Sequence, residues 1–215
     1  IYIFNNYNFK MAIEVKKSNK LIDYDFALKF LEKRVEDVIN EKKPELLWIL
    51  EHKAIFTAGI RAKENEILNK RISVSKTSRG GKITYHGPGQ KVVYFVLNLN
   101  QRGKDIRKLI KHIENCIIKI LKEYGIKSFN DKKNIGIWVN VNGKEKKVAA
   151  IGIRVKKWIA FHGFSINISN DLDAYKNIVP CGIYSKEITN LCSVKENNYK
   201  YINQKIVNNF LRIFK

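Results

Sequence analysis

Nowhere does the chain approach the ~18 consecutive apolar residues that a membrane span requires, and a transmembrane reading is set aside. The opening IYIFNNYNFKM lacks both a continuous apolar segment and a small-residue cleavage site, so it does not read as a secretory signal and a cytoplasmic location is expected. Cysteines number three, odd and without a C-x-x-C pair, which argues against a disulfide framework and against a zinc site. The stretch GGKITYHGPG matches neither the dinucleotide fingerprint nor the Walker loop, because Ile83 follows Lys82 where Ser or Thr should hold magnesium. No cofactor and no metal are expected. Acidic residues are scarce, 20 against 41 basic ones, for a net charge of +21. Only eight of the 41 basic residues are arginine, the preferred bidentate reader of phosphate and guanine. The scattered lysines therefore point away from nucleic acid and leave open an acidic protein partner.

What is present suits one globular domain: 215 residues, 45% hydrophobic and 11% aromatic, with no repeat, linker or composition break. Met11 is the only methionine, and Ile1 to Lys10 read as upstream or cloning-derived residues ahead of a domain over 11–215. Ala27, Leu28, Leu31, Val35, Val38 and Ile39 keep helical spacing between Asp23 and Asn40. A second amphipathic helix is expected between Asp105 and Tyr124, and a terminal one from Tyr199 to Phe214. LLWIL (Leu46 to Leu50) and VVYFVLNL (Val92 to Leu99) have the continuous apolar character of strands covered on both faces. IGIWV, KKVAAIGIRV and WIAFHGFSINI add three strands, the last two forming a hairpin across a turn at Lys156 and Lys157. The class is α/β (α+β), a single domain with a mixed central sheet flanked by helices.

Cys116 falls in the apolar stripe of the second helix and reads as a small core residue, and Cys192 is read the same way. Cys181 lies between Pro180 and Gly182, a turn that leaves a thiol accessible. His112 lies on the polar side of its helix and is expected at the surface. His86 and His162 each precede a glycine, where backbone can approach a ligand, and either could pair with Cys181 in a Cys-His hydrolase.

RGGKITYHGPGQ (Arg79 to Gln90), KVAAIGIRVKKWIAFHGFSINI (Lys147 to Ile168) and IVPCGI (Ile178 to Ile183), in that order, resemble the lipoyl(octanoyl) transferases, and EHKAIFTAG (Glu51 to Gly59) resembles the segment after that family's first strand. The resemblance implies a biotin/lipoyl protein ligase-like fold and a two-step acyl transfer without ATP. An octanoyl group would pass from acyl carrier protein to a cysteine as a thioester, then to a lysine of a lipoyl domain. The acceptors implied are the lipoyl domains of 2-oxoacid dehydrogenase complexes and the glycine cleavage H protein, with the enzyme a monomer. Cys181 stands at the family's cysteine, and Lys147 at the lysine credited with lowering that cysteine's pKa. The acyl-binding segments correspond to Arg79, Gly80, Gly81, Lys82, Ile83, Thr84, Tyr85 and His86, to Ala150, Ile151 and Gly152, and to Gly163, Phe164 and Ser165. Departures are Lys82 for the usual glutamine, Ser165 for alanine, Lys53 for proline and Asn190 for serine. A lipoate-protein ligase of the same fold, which would need ATP, and the hydrolase remain as alternatives.

Burying about six methylenes at ~0.8 kcal/mol each gives on the order of 5 kcal/mol, enough to hold an octanoyl tail but not to secure a carrier protein by itself. Thiolate formation alone is a small gain: taking a cysteine from ~8.5 to ~6.5 leaves roughly threefold once the lower nucleophilicity is counted. Lys147 is therefore expected to relay protons as well.

Overall fold

The computed structural model describes residues 12–132, 134–180 and 187–214. In chain order these form β1 (Ile13–Ile22), α1 (Tyr24–Ile39), β2 (Glu45–His52), β3 (Ile55–Ala58), β4 (Val74–Lys76), β5 (Ile83–His86), β6 (Gln90–Asn98), α2 (Ile106–Lys122), β7 (Ser128–Asn130), β8 (Ile137–Val141), β9 (Lys144–Lys156), β10 (Ile159–Asn167), β11 (Glu187–Ile188), α3 (Leu191–Val194) and α4 (Ile202–Phe214). Among the described residues the central sheet runs β1-β2-β6-β10-β9-β8-β7, with β11 added beside β9, and a small sheet runs β4-β3-β5. β1–β2 and β9–β11 are parallel and the other pairs of the central sheet antiparallel, so the sheet is mixed as expected.

Each helix owes its place to one apolar face. In α2, Ile113, Cys116, Ile117, Ile120 and Leu121 recur at helical spacing and are fully buried. Asp105 caps its start by accepting from the Lys108 N–H at 2.9 Å. This face and that of α4 pack on Leu47, Ile49, Val93, Phe95 and Leu97 of the sheet. The opposite sheet face, with Trp48, Leu50, Val92, Tyr94 and Val96, is covered by Ala27, Leu31 and Val35 of α1. Because helices lie on both faces, β2 and β6 are buried along nearly their whole length, which explains their unbroken apolar runs.

The β9–β10 hairpin forms, but one residue later than the basic pair indicated: Lys156 still belongs to β9, and Lys157 and Trp158 turn the chain with φ of 49° and 62°. Two consecutive positive φ values are what a type I′ turn requires, and no Asn-Gly or Asp-Gly pair advertises it here. β1 carries no apolar run because it is a sheet edge, mostly exposed, where its lysines discourage further pairing. No described helix is long and apolar enough to cross a membrane.

Candidate active site

The small sheet stands over β6, β10 and β9, and a cavity of about 60 Å³ lies between them. Its roof is the glycine-rich segment leading into β5. Arg79, nearly buried, pins that segment by donating from one guanidinium nitrogen to the carbonyl and hydroxyl of Thr57, each at 2.8 Å. Gly80 donates its N–H to the Ile153 carbonyl at 3.2 Å, and a Cβ there would lie 2.7 Å from the same oxygen. Only glycine lets the loop settle this close to β9. Lys82 reaches sideways to buried Glu66 at 2.5 Å. The floor is the Gly152–Gly163 pair of β9 and β10 opposite Tyr94. A Cβ on Gly163 would sit 1.9 Å from the Val93 carbonyl, so any side chain would push the strands apart. Of the acyl-binding residues expected, Arg79, Gly81, Lys82, Ile83, Thr84, His86, Ala150, Ile151, Gly152, Gly163, Phe164 and Ser165 line this one cavity. Gly80 lies behind it, and Tyr85 points to the satellite core with Phe56 and Tyr175.

A smaller cavity of about 10 Å³ shares Thr84, Ala150 and Ser165 with the first and adds Lys147, Pro180 and Ile188. Lys147 is buried; its Nζ donates to the Ile135 carbonyl at 3.0 Å and lies 4.9 Å from the centre of the Trp138 ring. Gly136 makes room for this stem, since a Cβ there would come within 3.0 Å of Lys147 Cε. Cys181 lies outside the described residues. The residues flanking that segment do not: Pro180 lines the Lys147 cavity, Ile188 pairs with Lys147 in register, and Thr189 donates its N–H to the Lys147 carbonyl at 2.9 Å.

A buried polar network joins the two cavities. Gln90 Nε2 donates to Asn167 Oδ1 at 2.8 Å, so its Oε1 accepts from His86 Nδ1 at 2.6 Å. Asn167 in turn donates to the Thr189 carbonyl at 2.9 Å. His86 is thus held as the tautomer with Nε2 bare, and burial, helped by His52 and Arg79, pushes its pKa down to about 3. His52 donates from Nδ1 to the Ile22 carbonyl at 2.9 Å and accepts from the Tyr94 hydroxyl at 2.8 Å, and burial lowers its pKa as well. His162 also lines the large cavity, and burial, with Arg79 and Arg154 nearby, takes its pKa to about 3.

Residues 23–211 match the family described as Lipoyl protein ligase A/B catalytic domain. The octanoyltransferase of Wolbachia sp. subsp. Brugia malayi is 45% identical over 180 residues, covering 83% of this chain and 86% of that protein. The chain belongs to this family. The octanoyltransferase of Zymomonas mobilis agrees, at 42% identity over 181 residues and 84% of each chain. A solved bi-partite lipoate protein ligase from Thermoplasma acidophilum superposes with a TM-score of 0.69 at 12% identity, over 94% of this chain and 84% of that one, which establishes the ligase-like fold. The chain is accordingly an acyltransferase.

Within this octanoyltransferase family member, three residues bear on the site without having been singled out for it: Tyr94, Asn167 and Thr189. Tyr94 looks like ordinary core within an apolar run, and the other two join the network through tertiary contacts alone. Cys116 is buried in the core as expected, and burial raises its pKa to about 12. Cys192 departs from expectation: it is exposed on α3, a four-residue helix that buries only Leu191. His112 is half-buried and lies 6.0 Å from the Phe214 ring.

Proposed function

We propose that this chain transfers an octanoyl group from acyl carrier protein, through a thioester on Cys181, to a lysine of a lipoyl domain. One observation carries the reading: Lys147 is buried in a cavity that both flanks of the 181–186 segment adjoin, and that cavity shares Thr84, Ala150 and Ser165 with the glycine-lined one.

Cys181 and Lys147 begin as a thiolate and an ammonium. The thiolate attacks the carbonyl carbon of the octanoyl thioester, and the tetrahedral intermediate expels the carrier sulfur, which takes its proton from Lys147. An octanoyl-cysteine and a neutral Lys147 amine remain. The acceptor lysine, as a free amine, then attacks the Cys181 thioester; Lys147 takes its proton, and the cysteine thiolate departs. An amide has formed, the starting pair is restored, and no nucleotide has been consumed. The glycine-lined cavity holds the tail, while the lysine-rich surface steers an acidic carrier and an acidic acceptor domain.

Intact-mass spectrometry tests this with each component withheld in turn. Octanoyl-carrier alone, without ATP, is expected to leave one octanoyl group on the chain, absent in Cys181→Ser and present in Cys116→Ser and Cys192→Ser. Adding a lipoyl domain is expected to move it to that domain. A requirement for ATP would turn the reading to a ligase, and release of free octanoate with no transfer would turn it to a hydrolase.

A further inference from the structure

Lys147 reaches its cavity because β9 is irregular there. Ile137 of β8 pairs with Ala149, but the next residue, Trp138, pairs with Lys147, so Val148 is an extra residue on β9, a β-bulge. Val148 and Ala149 are successive, yet both pack into the core beneath α2 and α4. Lys147 and Ala150 lie three residues apart and line the smaller cavity together, where strict alternation would send them to opposite faces. The bulge thus turns toward the cavities a residue that would otherwise face the apolar core. It also sets Lys147 directly across from Trp138, itself buried, whose ring centre is 4.9 Å from Lys147 Nζ. Trp138 Nε1–H donates to the Asn134 carbonyl at 3.0 Å, and the next carbonyl, that of Ile135, accepts from Lys147 Nζ at 3.0 Å. Gly136 seats this loop on β9, since a Cβ there would lie 2.7 Å from the Ala149 carbonyl. One side chain therefore acts on the ammonium twice, by its ring face and through the loop that its N–H anchors.

A buried ammonium needs compensation. Among the described residues no carboxylate lines this cavity. Of the charges on neighbouring elements, Lys146 pairs with Glu187 of β11, and Asp131 accepts from Asn134 at 2.8 Å. Tyr175, the one titratable neighbour on the cavity wall among the described residues, is hydrogen-bonded to Gln90 at 3.0 Å. Thr84 of β5 and Ser165 and Asn167 of β10 do not titrate, and β8 carries no charged residue. On the acyl-transfer reading above, we propose that Trp138 is a positioning residue for the transfer, its ring face holding the Lys147 ammonium and its N–H fixing the loop whose carbonyl shares that charge. A ring suits a group that must release and regain a proton. A carboxylate at this distance would hold the ammonium so firmly that the neutral amine became scarce. An aromatic face attracts the cation but offers no site for its proton, and lets it go.

The test grows the full chain with tryptophan, 5-fluorotryptophan or a trifluorinated tryptophan, since each fluorine draws charge off the ring face while leaving its shape nearly unchanged. The isolated octanoyl-enzyme is then discharged onto one lipoyl domain across pH. Cys181 is acylated there and carries no charge, and the acceptor's own titration is common to every sample. The midpoint of this profile is expected to fall stepwise along the series, by about one pH unit in all. In Trp138→Phe grown with the same analogues, where only Trp48 and Trp158 carry fluorine, the steps should vanish. Separately, with no substrate present, the nitrogen-15 signal of Lys147 Nζ at a fixed alkaline pH is expected to move stepwise from the ammonium toward the amine position. A profile and an Nζ signal that stay flat across the series would overturn the assignment, as would steps that persist in Trp138→Phe. Steps in the Nζ signal without any discharge onto the lipoyl domain would sink the transfer reading and leave Trp138 as the residue that holds Lys147.

Discussion

Against α2 and α4 the central sheet packs Leu47, Ile49, Val93 and Phe95 on Ile113, Ile117, Ile206 and Phe210. Against α1 and the small sheet it buries His52, His86, His162, Gln90 and Asn167 as well as apolar groups. The first face is independent apolar contacts supplied by a few periodic segments. The second is a hydrogen-bonded chain in which His86, Gln90, Asn167 and Thr189 come from distant parts of the sequence, and it adjoins both cavities. On the proposed function, packing and chemistry thus draw on differently built regions of one sheet.

Acid should separate the two faces most strongly. In the unfolded chain each histidine takes up a proton below about pH 6.5, whereas His86 and His162 stay neutral in the fold until about pH 3. The unfolded state then binds more protons, so stability falls as pH falls through this window. Two such groups lose about 3 kcal/mol between pH 6.5 and 5, and His52 adds in the same direction. Denaturant unfolding at the two pH values measures this; a flat stability would contradict the buried, neutral histidines.

Ile117→Ala attacks the other face. Ile117 is fully buried, and its truncation should cost about 2–5 kcal/mol, read as a lower denaturation midpoint. Acyl transfer per folded molecule should stay unchanged, because no residue of α2 lines either cavity. A matching loss of specific activity would show that the faces are coupled.

The smallest effect concerns the surface. Raising ionic strength from about 0.1 to 1 M shortens the Debye length from ~10 to ~3 Å. The rate with carrier-bound octanoyl should drop several-fold while a small octanoyl thioester is affected less. Equal salt sensitivity would remove electrostatic steering as the role of the +21 charge.

The same contrast explains what the sequence reveals. α2 is readable because one apolar residue per turn suffices to place it, and β2 and β6 because burial on both faces forbids polar residues. The glycine-lined cavity is readable as a site because Gly80 in its roof and Gly163 in its floor are demanded by backbone contacts under 3 Å from any added Cβ. β1 hides because an edge strand needs little apolar surface, and Cys192 misleads because α3 is too short to show a period. His162 was visible only as a histidine before a glycine. Its turn onto the cavity face depends on a positive φ that no periodicity encodes.

The central claim is that Lys147, buried beside the flanks of the 181–186 segment, gives up a proton in one half-reaction and takes one in the other. Lys147→Arg tests it directly, because a guanidinium keeps the positive charge but cannot accept a proton. The two steps are measured separately by intact mass across pH: acylation of Cys181 by octanoyl-carrier, and discharge of the isolated octanoyl-enzyme onto a lipoyl domain. The account predicts that acylation in the variant partly recovers at alkaline pH while discharge stays about a hundredfold or more below the unaltered enzyme. Discharge at the unaltered rate would show that charge alone suffices, and would contradict the relay.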